Sequence, residues 1–183
     1  MPAHKMTSRD AALRAVGRTV VNFQRLEHNL KAAARLQPVQ GTILKIQRDI
    51  ARRDERTATL TLGQAIQAWL NACEGEKLAT SYTPDMFDAH IQMTFSLGSD
   101  TESRSAHAAS LKALLETRNN LFHGALVQFQ WDSPEECDRL VMQLDEVNQA
   151  IGTQIEYLNT VLTAVRTIRP EDLELTQTEV TTE

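Results

Sequence analysis

The sequence predicts an all-α protein, built as an up-and-down bundle of five or six helices. Apolar residues recur at spacings of three and four over long stretches, which is the period of one helix face. Aromatic residues make up only 5% of the 183 residues, and there are 7 glycines and 5 prolines. Most of the prolines stand between the apolar series and not inside them. This composition is typical of a helical bundle.

The length corresponds to one domain. We assign residues 1–7 to a flexible N-terminus, residues 8–169 to the helical domain and residues 170–183 to an acidic, disordered tail. The net charge of −5 argues against a globally basic protein that coats nucleic acid, but it is compatible with a locally positive cleft.

No stretch has the length and apolar character of a membrane span, and the first ten residues lack the apolar segment of a signal peptide. We therefore expect a cytoplasmic protein with no membrane contact. The two cysteines, Cys73 and Cys137, show no metal-binding spacing. We expect reduced thiols, no metal site and no cofactor.

The first predicted helix begins near Thr7, where Asp10 is placed to favour the positive end of the helix, and it ends before Pro38. Glu27 occupies the one missing step of its apolar series, so a charge is predicted to point into the core. The apolar positions of the series are Leu13, Val16, Val20, Phe23, Leu30 and Ala34.

The next segment, residues 43–59, is predicted to be a helix in which five cations alternate with three acids. This pattern favours a solvated face with ion pairs between residues four apart over a strip that contacts RNA. Shorter helices are expected from Thr61 to Ala72 and from Pro84 to Gly98. The five cations are Lys45, Arg48, Arg52, Arg53 and Arg56.

The last helix begins at the sequence DSPEE, residues 132–136, which supplies a cap, a first-turn proline and acids in the first turn. An apolar series of about nine turns follows from Cys137 and predicts the longest helix of the bundle. Phe129 and Trp131 precede this helix and could either pack against the bundle or stack on a base. Packing is the favoured interpretation.

Another helix is predicted from about Ser105 to Phe122, and Arg118 lies in the middle of its apolar stripe. A guanidinium stays protonated, so one that points at a core must meet a carboxylate, a phosphate or a polar seam between subunits. Asn119 and His123, four residues apart, are expected to lie together on the flank. The stripe consists of Leu111, Leu114, Leu115, Leu121, Phe122 and Ala125.

Glu27 and Arg118 are candidate partners because both charges fall on apolar stripes. Two interpretations are compatible and equally supported: a buried structural salt bridge, or a glutamate that orients the arginine toward a phosphate. His107 falls on the apolar stripe of its helix and is interpreted as a core histidine. His28 and His90 have no partner that the sequence identifies.

The sequence RNNLFH, from Arg118 to His123, resembles the signature of the HEPN superfamily (higher eukaryote and prokaryote nucleotide-binding). In that signature an arginine is followed after four to six residues by a histidine, and asparagine, aspartate or histidine usually follows the arginine. Residues 16–27 resemble, more loosely, the opening helix of uncharacterised bacterial members.

The resemblance implies a metal-independent endoribonuclease in which the RNA 2′-OH attacks the phosphate, giving 2′,3′-cyclic phosphate and 5′-OH ends. Such a reaction needs a group that moves protons and a positive charge at the phosphate, and these residue types supply both. Arg118 would bind phosphate oxygens and His123 would transfer a proton. Asn119 would orient His123 or hydrogen-bond the backbone, and Glu27 and Asn120 would orient or bind the substrate.

The resemblance also implies a homodimer in which the two motif helices meet at a shared cleft that binds RNA. It suggests a toxin or antiviral effector, restrained by a separate antitoxin or regulator. The alternative is a non-catalytic HEPN-like module for dimerisation or for RNA or nucleotide binding. A weaker third possibility is an antitoxin-like partner of another nuclease.

Overall fold

The computed structural model describes residues 7–74, 90–93 and 100–167, of which 90–93 are described by backbone alone. These residues are mostly helical, which confirms the all-α class. A 3-10 turn, Ala34–Leu36, follows the first helix and a π-helical turn, Leu121–Ala125, follows the fourth. The regular elements are α1 (Ser8–Ala33), β1 (Val39–Thr42), α2 (Ile43–Ala58), α3 (Leu62–Glu74), β2 (His90–Met93), α4 (Thr101–Asn120) and α5 (Pro134–Thr167).

The predicted start of α1 is confirmed. Thr7 Oγ1 accepts a hydrogen bond from the Asp10 backbone N–H at 3.1 Å, and Asp10 Oδ2 accepts one from the Thr7 N–H at 3.2 Å. This reciprocal cap satisfies N–H groups that have no partner within the helix. The predicted tail, residues 170–183, lies outside the described residues.

A polar seam fixes α1 against α5. Asn22 Nδ2 donates to Asn148 Oδ1 at 2.8 Å, and Asn29 Nδ2 donates to Asn159 Oδ1 at 3.0 Å. Asn148 Nδ2 also donates to the hydroxyl of Thr19, which is fully buried. Because the partner numbers increase together, α1 and α5 run parallel. The hydroxyl of Thr19 is buried and needs its partner, so the bond from Asn148 helps to set the register of these two helices.

The larger core cluster is formed by α1, α3, α4 and α5. Its largest fully buried side chain is Trp69 of α3, a helix that the sequence predicted only as a short element. A smaller cluster joins the start of α1 to the start of α5, and Phe122 packs against both clusters. The residues buried in the smaller cluster are Ala12, Ala15, Leu121, Cys137, Leu140 and Leu144.

The predicted buried face of α1 is wrong in its first half. Ala12, Ala15 and Thr19 are buried there, whereas Leu13 is 47% exposed. Alanine and threonine give a weak apolar signal, so the sequence pattern placed the face one residue away from its actual position. The same rotation moves Glu27 to the flank of the buried face, where its side chain is 31% exposed.

The predicted helix from Pro84 to Gly98 is wrong over its described part, because residues 90–93 form a strand. This strand pairs antiparallel with β1, with Val39 opposite Met93 and Thr42 opposite His90. Within β1, Gly41 has φ +140°, a conformation that side chains disfavour. The strand β1 is followed directly by α2. The pairing joins segments about fifty residues apart, which a local apolar spacing does not reveal.

The last helix is confirmed from its start at Pro134 through its described length. Phe129 and Trp131, which precede it, pack against the smaller cluster with their ring centroids 4.8 Å apart, so packing is also confirmed. Within the described residues, no helix is both long and apolar enough to cross a membrane. The buried positions of α5 are Cys137, Leu140, Leu144, Ile151, Ile155, Leu158 and Val161.

Candidate functional site

The motif residues lie where α4 changes its winding. The α-helix ends at Asn120, and the next turn, Leu121–Ala125, is wider: the Leu126 N–H reaches back five residues to the Leu121 carbonyl at 3.1 Å. Wide turns of this kind occur frequently at functional sites. His123 lies within this turn.

Two apolar side chains anchor the turn to the bundle. Leu121 is buried in the smaller cluster, and Phe122 makes an edge-to-face contact with Phe23 at a centroid distance of 6.3 Å. His123 and Gly124 lie on the exposed side of the same turn. The apolar pair therefore holds the backbone in place while the histidine is exposed to solvent.

Arg118 is half-buried one turn before His123. Its Nη1 donates a hydrogen bond to Asn119 Oδ1 at 3.0 Å. A guanidinium has five N–H donors, and among the described residues this is the only hydrogen bond its side chain makes. The remaining donors are available to an anion.

A small cavity of about 210 Å³ opens at Arg118. Ligand pockets for whole small molecules are larger, about 300–1,000 Å³. This cavity is therefore suited to a single phosphate group or a side chain and is too small for a complete nucleotide. Its walls come from α1, the start of α3 and the motif: Val20, Phe23, Gln24, Glu27, Leu62, Arg118 and Phe122.

Glu27 and Arg118 share this cavity but do not form the predicted salt bridge. Glu27 Oε1 instead pairs with Lys31 Nζ, one turn further along α1, at 2.8 Å. Lys31 Nζ also donates to the Ala58 carbonyl at the end of α2, at 3.1 Å. A partner four residues away on the same helix engages the glutamate at little conformational cost, and so it competes with a partner on another helix.

Asn120 and His123, the other predicted site residues, are exposed. Neither side chain forms a hydrogen bond or an ion pair within the part of the chain that the structure describes. The structure thus brings Glu27 and Arg118 to one cavity, with the exposed Asn119 bonded to Arg118, and leaves His123 and Asn120 on the adjoining surface.

His107, thirteen residues before Asn120 on α4, has a different environment. Its Nε2 accepts a hydrogen bond from the Trp69 indole at 2.9 Å, and its ring lies 4.5 Å from that of Tyr157. Burial lowers the pKa of His107, and the side chain of Gln154 acts in the opposite direction. The indole donor requires an unprotonated nitrogen, so this histidine is neutral. His107 therefore has a partner, as predicted, but it is half-buried and not fully within the core.

Cys73 lies in the same region as His107. Burial raises the pKa of its thiol to about 12. The charge of Arg104 lowers this pKa and that of Glu74 raises it, both by less than burial does. A thiol that remains protonated at neutral pH is a poor nucleophile. Cys73 and His107 therefore do not form a nucleophile and base pair.

Sequence reasoning did not identify Lys31, Gln24 or Leu62 as neighbours of the site. The sequence could have identified Lys31 as a partner of Glu27, because Lys31 follows Glu27 by four residues on a predicted helix. Leu62 had none, since its position at the cavity depends on how α3 packs against α1 and α4.

No protein-family model, no curated protein and no solved structure matches this chain. The function is therefore argued from the site itself.

Proposed function

We propose that this chain is a metal-independent endoribonuclease of the HEPN kind. The observation that carries the proposal is the state of the motif at the end of α4. Arg118 lines a phosphate-sized cavity with most of its donors unused, and His123 is exposed on the wide turn beside it. A half-buried guanidinium whose donors lack protein partners can bind an anion.

The chemistry requires little from the protein. The RNA 2′-oxygen forms a bond to phosphorus while the bond from phosphorus to the 5′-oxygen breaks. One proton leaves the 2′-OH and another reaches the departing 5′-oxygen. Arg118 neutralises the charge that builds on the phosphate oxygens, and His123 transfers a proton. DNA lacks the 2′-OH and is not cleaved.

The observed hydrogen bond changes the role that we propose for Asn119. Asn119 Oδ1 receives a hydrogen bond from Arg118, not from His123. We therefore assign Asn119 as a positioning residue that fixes the direction of the guanidinium. Glu27 lines the same cavity, and its pairing with Lys31 offsets the negative charge that would otherwise repel the phosphate.

The proposed enzyme is a homodimer. One chain contributes a single motif histidine, whereas the reaction uses a base and an acid. Two motif helices that meet at their exposed ends place two copies of His123 on one cleft, one for each proton transfer. An open groove of about 480 Å³ between α4 and α5, beside the motif, leaves room for the approach of a second copy. Light scattering at micromolar concentration tests this point, and a monomer contradicts it.

The test of function is RNA cleavage in excess EDTA. Wild-type protein should cut tRNA or single-stranded RNA and leave 2′,3′-cyclic phosphate ends. His123→Ala should reduce the rate by about 100-fold or more, the usual contribution of a general acid or base. His28→Ala is the matched control, because His28 is an exposed histidine on α1 that lies outside the Arg118 cavity.

The outcomes separate the proposal from its alternative. Equal trace cleavage by all three proteins means contamination and contradicts the enzyme. If RNA binds but is not cut, and Arg118→Met abolishes the binding, the chain is a non-catalytic binding module. Expression gives an independent readout, since an active nuclease is toxic to its host and becomes tolerated after His123→Ala.

A further inference from the structure

Four cations of α2 lie on one exposed stripe. At about 100° per residue, Lys45, Arg48, Arg52 and Arg56 fall within a sector of about 80°. All four are exposed. With a rise of about 1.5 Å per residue they extend over about 16 Å of the helix axis. We call these four residues the basic strip.

The other arginines in this region are used by the fold. Arg53 donates to the backbone carbonyls of Arg35, Gln37 and Pro38 at 3.3, 2.6 and 3.1 Å. Arg35 in turn pairs with Asp54 at 3.3 Å. These contacts join α2 to the segment that follows α1. They give Arg53 a role in the fold, but they do not involve Arg52.

The basic strip has no such partners. Asp49 and Glu55 border it on α2, and their spacing would permit the ion pairs that the sequence favoured. Among the residues that the structure describes, however, no side chain of the strip forms an ion pair or a hydrogen bond. The prediction of a solvated face is therefore confirmed, whereas the predicted ion pairs four residues apart are not formed by these four side chains in the described residues.

The strip borders a polar groove of about 560 Å³ between α2 and α3. Arg52 and Arg56 form the α2 wall together with the carboxylate of Asp49. Amides line the opposite wall, where they can exchange hydrogen bonds with hydroxyl groups. These amide residues are Gln64, Gln67 and Asn71, and Gln67 donates to Asn71 at 2.7 Å.

The strip ends close to the Arg118 cavity. Lys31, the partner of Glu27 in that cavity, donates to the Ala58 carbonyl in the last turn of α2. Leu62, four residues after Ala58, forms part of the cavity wall. The last strip residue, Arg56, is therefore carried by the helix end that adjoins the site.

We propose that the basic strip and the adjoining groove bind the sugar–phosphate backbone of single-stranded RNA. Unpaired cations attract phosphates without reading sequence. The groove amides can bond ribose hydroxyls, and among the residues that the structure describes no aromatic side chain lines the groove to stack bases. The inference rests on the proposed function, because it names the surface that holds the strand on which Arg118 and His123 act.

The test measures RNA binding in the His123→Ala background, so that cleavage does not interfere. The probe is a fluorescein-labelled oligouridine, titrated by anisotropy at several salt concentrations. Arg52→Gln with Arg56→Gln should weaken binding about tenfold and flatten the slope of log K against log salt by about 1.4, at 0.7 per cation for single strands. Arg14→Gln with Arg166→Gln changes the net charge equally on other exposed surfaces and should preserve both values.

Equal losses in the two double variants, or none in the strip variant, overturn the inference. If the strip instead binds an acidic protein segment, the strip variant keeps the RNA affinity of the parent protein. Absence of RNA binding by the parent protein overturns the inference as well. The proposed function is judged separately by cleavage with His123 intact. In the cleavage assay, the strip variant should raise KM and leave kcat unchanged. A loss of kcat in His123→Ala tests the proposed catalytic step and not the strip.

Discussion

His107 lies near the start of α4 and His123 lies in the wide turn that follows α4, and the fold treats these two histidines in opposite ways. His107 is half-buried, neutral and bonded to the Trp69 indole at 2.9 Å. His123 is exposed on a wide turn and makes no side-chain bond in the described chain. Residue type alone therefore does not identify a site. What distinguishes a candidate catalytic residue is polar capacity that the fold leaves unused.

The largest effect on stability is expected at the His107 end. Trp69→Ala removes the largest fully buried side chain and leaves His107 Nε2 without its donor. The free energy of unfolding should fall by about 3–5 kcal/mol, the usual cost of a large-to-small change at a buried aromatic residue. Urea denaturation measures this, and a loss below about 1 kcal/mol would show that the core does not depend on Trp69.

A smaller loss is expected when only the polar contact is removed. His107→Leu leaves the Trp69 N–H without an acceptor and should cost about 1–3 kcal/mol. The rate of RNA cleavage per folded molecule should not change, because His107 lies at the opposite end of α4 from the motif. A cleavage defect as large as that of His123→Ala would remove the distinction between the two ends.

The pH dependence of stability should also originate at this end. Burial lowers the pKa of His107 in the folded chain below its usual value of 6.5. The unfolded chain therefore takes up the proton first as the pH falls, so the free energy of unfolding decreases below about pH 6.5. Urea titrations between about pH 7.5 and pH 5 should show this decrease in wild type and a weaker one in His107→Leu. Identical slopes would assign the decrease to other groups.

Arg118→Met tests the motif end for a structural role. The guanidinium makes one hydrogen bond, to a neighbour on its own helix, and no ion pair with Glu27. The melting temperature should change little, with a stability effect below about 1 kcal/mol, while RNA cleavage is lost. A loss of about 3–5 kcal/mol would mean that Arg118 forms part of a buried ion pair after all.

The smallest effect is expected at Gly124. A Cβ added there meets no atom within 4 Å, so Gly124→Ala is sterically allowed. Alanine should stabilise the helical turn by about 0.4–1 kcal/mol, chiefly by restricting the unfolded chain. Calorimetry can detect this change, and a destabilised variant would indicate that the wide turn needs the freedom of glycine.

Local patterns were sufficient to predict much of this protein. The cap at Thr7 and Asp10 and the helix that starts at Pro134 are both short-range features, and the structure confirms them. The motif itself was also visible, since it is a continuous stretch of sequence.

The errors concern features that depend on distant packing. The strand at residues 90–93 requires its partner at 39–42, and the buried face of α1 is set by the parallel contact with α5. Glu27 pairs with Lys31 and not with Arg118. A helical wheel does not show which of two possible partners a charged side chain will bind. Likewise, the unpaired state of the basic strip follows from side-chain geometry and not from charge spacing.

The most direct test of the account compares His107→Ala and His123→Ala in the same two assays. We predict that the two substitutions affect different assays. His107→Ala lowers the melting temperature and keeps its RNA cleavage rate per folded molecule in EDTA. His123→Ala keeps its melting temperature and loses cleavage by about 100-fold or more. If His123→Ala melts earlier and cleaves as well as wild type, the motif is structural and the proposed ribonuclease function is wrong.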